Sequence, residues 1–386
     1  MDALAIRDVV AARRDGFIAD LEEMVNVDSG SFNRDGVNRV ATMCERRFRD
    51  AGWEIDRIVP ADPDLPPVGD TVVGTLRGTG GPRVLLLGHT DTVFDDGVAA
   101  ERPFSIADGR AFGPGVSDMK GGLVAGFVAL EALRQIGFDR FDRITYVCNS
   151  DEEIGSPSSR DLIRRLATEH DAALVLECGR ANGDIVSARK GVVDLRVIVH
   201  GRAAHAGVEP ERGRSATLQA AHAIIALHAL NGRWPGVTVN VGVIQGGTRP
   251  NVVTERCELH VDLRAPTAAS FEEARSAVEE AARARVVPDT ETEVITMAGF
   301  PPMEKTEATA RLVEIALGLA EEIGFDLLDA ATGGASDANP VAGLGVPTLD
   351  GLGPVGGADH APGEWVDLDS VVPRMTLLAG LIARTP

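Results

Sequence analysis

Basic residues are scarce in this chain, thiols are few, and no apolar run is long. Of its 386 residues, 38 are Lys or Arg against 58 Asp or Glu, a formal net charge of −20. Such a chain repels phosphate backbones and anionic bilayers, so nucleic acid is not expected as a partner. The longest apolar stretches, such as that around residues 84–87, fall far short of the roughly 20 residues needed to cross a bilayer. No membrane partner is expected either. The four cysteines, Cys44, Cys148, Cys178 and Cys257, show no C-x-x-C spacing. Neither a disulfide framework nor a thiolate zinc site is suggested, and buried, reduced thiols are the expectation. The first ten residues carry Asp2, Arg7 and Asp8 rather than the basic start and apolar middle of a signal peptide, so a cytoplasmic location is expected. No internal repeat or low-complexity segment is evident.

What is present reads as globular. Hydrophobic residues make up 44% and charged residues 25%, values that allow packed cores, and the length predicts two or three domains. Val9, Val10, Phe17, Ile18, Leu21 and Val25 recur at roughly helical spacing, as does a stretch over residues 37–51 closed by Gly52. Short apolar runs at 71–76, 84–87, 144–148 and 173–176 read as strands covered on both faces by helices, with a helix over 120–136 among them. From residue 187 the order becomes strand (192–199), helix (214–230), strand (237–244), strand (252–263), helix (271–284), strand (290–296). This βαββαβ order is that of a ferredoxin-like sandwich. A helix over 307–323, a strand over 346–349 and a helix over 368–383 then resume the first pattern. The expected fold is therefore an α/β domain, its mostly parallel central sheet flanked by helices, over residues 1–186 and 301–386. An inserted ferredoxin-like α+β domain over 187–300 interrupts it.

In open α/β sheets, functional groups collect beyond the carboxyl ends of the strands. There this chain places His89-Thr90-Asp91, then Ser150-Asp151-Glu152-Glu153, then Glu177-Cys178. The glycine-rich Gly113-Pro114-Gly115 delivers Asp118-Met119-Lys120-Gly121-Gly122 to a helix start, and Gly356-Gly357-Ala358-Asp359-His360 forms a later loop. Singly, each has an ordinary reading as a solvated acidic turn or a hydrogen-bonded loop histidine. Together, carboxylates gathered in one crevice repel one another unless a cation neutralises them. A thiolate-free set of His and carboxylate suits Zn²⁺, or Mn²⁺ and Co²⁺, and exceeds what one tetrahedral ion requires. Two metal ions per chain are expected.

These motifs resemble, in order and over nearly the whole chain, those of the dizinc exopeptidases that include aminoacylase, acetylornithine deacetylase, succinyl-diaminopimelate desuccinylase and the glutamate carboxypeptidases. Gly201-Arg202-Ala203-Ala204-His205-Ala206-Gly207 is similar to that family's lid motif. The glutamate carboxypeptidase branch is nearest, through Gly113-Pro114-Gly115, Glu152-Glu153-x-Gly155-Ser156 and Leu352-Gly353-Pro354. The resemblance implies a metal-dependent hydrolase that cleaves the amide bond of an N-acyl amino acid or short peptide and releases a C-terminal amino acid. It implies Asp118 bridging two metals, His89 and Glu177 completing one site, and Glu153 and His360 the other. Glu152 would move the proton, and the Asp118-Met119 peptide would be cis. Asp91, two residues from His89, would orient its ring.

The resemblance also implies a homodimer through the inserted lid domain, with His205 reaching the partner's site as an oxyanion donor. Arg249 and Asn251, in Gly246-Gly247-Thr248-Arg249-Pro250-Asn251, are candidates to bind a substrate carboxylate or amide carbonyl, the alternative being a plain turn between strands. His222 and His228 receive no chemical role. Glutamate carboxypeptidases of this kind hold the substrate's terminal carboxylate with a basic residue near the end of the lid. Here Thr296-Met297-Ala298-Gly299-Phe300-Pro301-Pro302 contains no arginine. Anchoring then falls to Arg249 or Arg264, or the substrate is not an acyl-glutamate. Two further readings are a biosynthetic N-deacylase of the acetylornithine deacetylase or succinyl-diaminopimelate desuccinylase type, and a catalytically silent peptide-binding relative. The silent relative is expected to lack Glu152 or a ligand, and none is missing.

Overall fold

The computed structural model describes residues 1–61, 65 and 67–386, which divide into two units, one of residues 1–187, 305–331 and 336–386, the other of residues 188–304 and 332–335. The chain enters the first through β1 (Glu54–Ile58), β2 (Thr71–Arg77), β3 (Arg83–His89), β4 (Ser105–Ala107), β5 (Arg110–Phe112), β6 (Arg143–Asn149) and β7 (Ala172–Val175). After β8 (Ile185–Arg189) come β9 (Gly191–His200), β10 (Thr238–Gly246), β11 (Arg256–Ala265) and β12 (Glu291–Phe300). The last strands are β13 (Asp329–Thr332), β14 (Thr348–Leu349), β15 (Gly356–Gly357) and β16 (Trp365–Asp367).

The central sheet of the first unit has the order β1-β2-β6-β3-β7-β14. Strands β6, β3, β7 and β14 run parallel, while β1 and β2 add an antiparallel edge, so the sheet is mixed and mostly parallel as the sequence predicts. Leu85, Leu86, Leu87, Val147 and Leu174 are all buried, the outcome expected of short apolar strands with helices on both faces. The helix Gly121–Gln135 is buried along most of its length. At its start an added Cβ on Gly122 would lie 1.8 Å from the Leu176 carbonyl oxygen. Glycine there lets the helix press against the end of β7, one residue before Glu177.

The helical pattern over residues 9–25 proves to be two helices, Ala3–Ala11 and Arg14–Val25. Residues 12–16 bury no side chain; the guanidinium of Arg13 turns back to the Val9 carbonyl at 3.1 Å and reaches Gln135 and Glu131 of the helix Gly121–Gln135. Periodicity also passed over β1, the small β15-β16-β5-β4 sheet and the helix Arg160–Ala167. The strands of that small sheet, two or three residues each, are too short to display a period.

In the second unit β10-β11-β9-β12 form an antiparallel sheet, the strand order of a ferredoxin-like βαββαβ unit. Odd-numbered residues of β9 and β11, among them Val193, Leu195, Val197, Leu259, Val261 and Leu263, are buried with Ala220, Leu227 and Val278 of its two helices. Those helices, Ala216–His228 and Ala268–Arg283, start on side-chain caps: Ser215 accepts from the Leu218 N–H, and Thr267 shares a capping box with Ser270. All four cysteines are free thiols, three buried and Cys178 half-buried. Among the described residues no helix is long and apolar enough to cross a membrane.

Candidate metal centre

Parallel pairing aligns His89 with Asn149 and Leu87 with Val175, which brings the carboxyl ends of β3, β6 and β7 side by side. His89 is the last residue of β3, Glu152 and Glu153 open the turn after β6, and Glu177 follows β7. Asp118 arrives from the glycine-rich loop, where Gly113 and Gly115 hold φ of 145° and 74°, and its peptide bond to Met119 is cis. His360 sits between β15 and β16 at φ 62°.

Asp118 stands between two imidazoles. Its Oδ1 lies 3.1 Å from His89 Nε2 and its Oδ2 lies 3.1 Å from His360 Nε2. Glu153 Oε2 is 3.2 Å from His360 Nε2, and Glu177 Oε1 is 3.7 Å from His89 Nε2. His89, Glu152 and Glu177 form one group whose ligand atoms lie within 4.8 Å of one another, and His89, Asp118 and Glu153 form another. Glu153 Oε1 is buried without a hydrogen-bond partner among the described residues. An unsatisfied carboxylate lone pair inside an all-oxygen-and-imidazole cluster fits a divalent cation. His89 Nδ1 donates to the Asp91 main-chain oxygen at 3.0 Å, which leaves the Nε2 lone pair of the neutral ring aimed at the cluster.

Asp91 does more than face the His89 ring, from which its Oδ1 is 3.3 Å. Fully buried, it accepts from Ser31 Oγ at 2.7 Å and from the N–H groups of Glu152 and Glu153, both at 3.1 Å, so it also fixes the turn that carries those two acids. Three further buried groups escaped sequence reading. Asp337 accepts from Asn149 Nδ2 at 2.7 Å and Ser156 Oγ at 2.5 Å. Glu364 accepts from three main-chain N–H groups of the Asp118 loop. Ser31 donates to Asp91. No spacing signal marks them, because each acts on a residue far away in sequence. A cavity of about 340 Å³, lined in part by Phe32, Val93, Phe94, Glu153 and Ile154, opens beside Glu153.

Charge in this cluster is unevenly held. Burial lowers the His89 pKa, but its bonds to Asp118 and Asp91 and the Glu177 charge carry it well above the usual imidazole range. Bonds to Asp118 and Glu153 raise His360 to about 10. Burial works to raise Asp118, yet the two imidazoles hold it well below the usual carboxylate range. Glu152 is raised well above that range by burial and by the charges of Glu177, Asp337 and Glu153, and burial raises Glu153 as well. Burial likewise lifts Asp337 to about 6 and Glu364 to about 7.

In the second unit His205, Arg249 and Asn251 are all exposed on neighbouring loops, with His205 bridged to Val252 and the Ala206 N–H bonded to the Asn251 oxygen at 3.0 Å. His205 Nδ1 accepts from the Gly207 N–H at 3.2 Å, so the neutral ring carries its proton on Nε2. The other candidate anchor, Arg264, is tied to Asp262 at 3.1 Å and to the Gly333 oxygen at 2.8 Å.

Comparison with known proteins finds relatives over nearly the whole chain. The sequence profile of peptidase family M20/M25/M40 matches residues 85–384. Carboxypeptidase G2 of Pseudomonas sp. (strain RS-16) is 31% identical over 368 residues, which cover 95% of this chain and 88% of that protein. The structure of aminopeptidase PepT from Bacillus cereus ATCC 10987 matches with a TM-score of 0.82 at 25% identity, covering 96% of this chain and 98% of its own. The M20 family metallo-carboxypeptidase Sso-CP2 from Sulfolobus solfataricus shares the fold, with a TM-score of 0.72 at 16% identity over 96% of this chain and 99% of its own.

Cation binding is expected to expel protons. Raised imidazole pKa values mean that His89 and His360 hold protons over a wider pH range than free histidine, and a cation that took these rings as ligands would have to displace them. Zn²⁺ affinity for the metal-free protein should therefore rise with pH and level off only above about pH 10, once His360 is largely deprotonated. Calorimetric titration in buffers of differing ionisation enthalpy measures the protons released; pH-independent affinity with no release would contradict this account.

Proposed function

Because the chain belongs to peptidase family M20/M25/M40 and is thus a metal-dependent hydrolase, we propose that it cleaves the amide bond of an N-acyl amino acid or short peptide and releases a C-terminal amino acid. The observation that carries this reading is Asp118 held between His89 and His360, one carboxylate oxygen to each, with Glu152 alongside. The relative named carboxypeptidase supports the direction of cleavage.

In this reading Asp118, His89 and Glu177 hold one divalent ion, and Asp118, Glu153 and His360 hold a second. Zn²⁺ is the first expectation, and Mn²⁺ or Co²⁺ suits the same donors. When bound, such a pair supplies Lewis acidity and a water of lowered pKa. Glu152 takes the proton of the attacking water and delivers it to the departing nitrogen, a task suited to a buried carboxyl whose pKa is raised. Asp91 keeps His89 in the tautomer that offers Nε2 and sets the Glu152 main chain. Arg249 and Asn251 receive the substrate's carboxylate and carbonyl, a choice supported by their exposure and by the engagement of Arg264 with Asp262. Phe32, Val93 and Phe94 border the cavity beside Glu153 and offer apolar contact to a substrate side group.

The inserted unit is proposed to pair two copies and to send His205, proton on Nε2, to the partner subunit's site as oxyanion donor. Strand β10 lies at the edge of its sheet with Val243 and Ile244 exposed, and the helix Ala216–His228 exposes Leu218 and Ile225. An unpaired edge beside exposed apolar side chains supports association about a two-fold axis.

Three outcomes test the assignment. Glu152→Gln should keep its metal and lose at least about 10²-fold in turnover, whereas Glu153→Gln should bind metal more weakly. Metal analysis beside kinetics checks this, and equal metal loss in both would refute the division of roles. An N-acyl amino acid should be cleaved with a specificity constant roughly tenfold or more above that of its C-terminal amide, a difference that Arg249→Ala should erase. Equal constants for acid and amide in the unmodified enzyme would remove the carboxylate anchor. Mixing inactive His205→Ala chains with inactive Glu152→Gln chains should restore part of the activity; no recovery in proven mixed dimers would place His205 and Glu152 in the same chain's site.

A further inference from the structure

Glu364 is buried to 1% exposure immediately before β16, four residues after His360. Its Oε2 accepts from the Gly115 N–H at 2.9 Å, and its Oε1 accepts from the Ser117 N–H at 2.7 Å and the Asp118 N–H at 2.9 Å. The turn that leads from His360 to it is closed by the Glu364 N–H on the Ala361 oxygen at 3.2 Å. One side chain thus ties the segment carrying His360 to the main chain of Asp118. Burying a carboxyl group is costly unless its oxygens are satisfied, as these are by three main-chain N–H groups. The amide of a glutamine would turn a donor toward one of those groups.

We propose that Glu364 is a positioning residue for the metal pair: it sets the Asp118 main chain, and with it the aim of the two Asp118 oxygens at His89 and His360, before any cation arrives. The role rests on the ligand set proposed above. Asp118 can bridge only if its two oxygens point apart toward two ligand histidines, and Glu364 holds the N–H of the same residue from which that carboxylate extends. The same carboxylate fixes how closely the His360 segment approaches. Lys120, also fully buried, donates from Nζ to the Val27 oxygen at 3.0 Å and the Pro114 oxygen at 3.4 Å; an ammonium has no lone pair and cannot accept from the three N–H groups that Glu364 holds.

The test uses the full chain, stripped of metal and titrated with Co²⁺ alone, read by visible absorption, by chelator competition and by thermal melting. Glu364→Gln puts an amide donor against a main-chain donor, and Glu364→Asp keeps the charge but withdraws it by one methylene. Both are expected to melt cooperatively without metal, to bind Co²⁺ about 10–100-fold more weakly, and to show an altered visible spectrum. Two variants that lower the melting temperature alone, with unchanged Co²⁺ affinity and spectrum in the folded fraction, would overturn the proposal and leave Glu364 a packing residue. Asp118→Asn separates the other failure: if it keeps both ions at full affinity, the ligand assignment itself falls, and the role of Glu364 with it.

Discussion

Negative charge is concentrated where the protein can least solvate it. Asp91, Asp118, Glu152, Glu153 and Glu177 meet at the ends of three parallel strands, each buried or half-buried. Like charges a few ångströms apart in such a setting raise one another's pKa until a proton or a cation intervenes. Without metal the two imidazoles serve as that counter-charge, which is why His89 and His360 bind protons so firmly while Asp118 between them stays ionised. The cluster is suited to positive charge, and a divalent ion entering it would compete with protons.

Holding such a cluster together requires a second set of acids with a different assignment of lone pairs. Asp91 spends its oxygens on Ser31 and two N–H groups, Asp151 on Ser159 Oγ and the Ser158 N–H, Asp337 on Asn149 and Ser156, and Glu364 on three N–H groups. These acids are saturated by neutral donors and fix the chain around the site. Glu153 contrasts with them, one oxygen buried and unmatched, the other beside His360. Within this cluster Glu153 differs from the anchoring acids by its unmatched oxygen rather than by burial, which it shares with them.

Much of this was legible in the sequence for a physical reason. A parallel strand buried on both faces must be an uninterrupted apolar run, so a polar residue at its end, such as His89 after Leu85-Leu86-Leu87, is conspicuous, and the sheet then gathers those ends side by side. The antiparallel unit was legible through alternation, seen in the buried odd-numbered residues of β9. The break at residues 12–13, the short strands β4, β5, β15 and β16, and the tethers Ser31, Asp337 and Glu364 were not. A break that buries nothing leaves the helical period intact, and strands of two or three residues show none. A buried acid that bonds main-chain N–H groups some 250 residues away has no local signature; Glu364 in His360-Ala361-Pro362-Gly363-Glu364 reads as surface turn.

The three histidines given chemical roles show how environment rather than residue type assigns them. His89 is buried, gives Nδ1–H to a carbonyl and turns Nε2 toward carboxylates. His360, with its side chain half open to solvent, reaches the same carboxylates from a turn at positive φ and gains its affinity for positive charge chiefly from hydrogen bonds to Asp118 and Glu153 rather than from enclosure. His205 has the reverse arrangement, Nδ1 accepting from a main-chain N–H and Nε2 left as donor, on an exposed loop with no carboxylate bonded to either nitrogen among the described residues. A ring that accepts on Nδ1 offers a proton at Nε2 and is a poor ligand there, whereas one that donates on Nδ1 offers a lone pair. The first suits an oxyanion and the second a cation, and one main-chain hydrogen bond in each case decides between them.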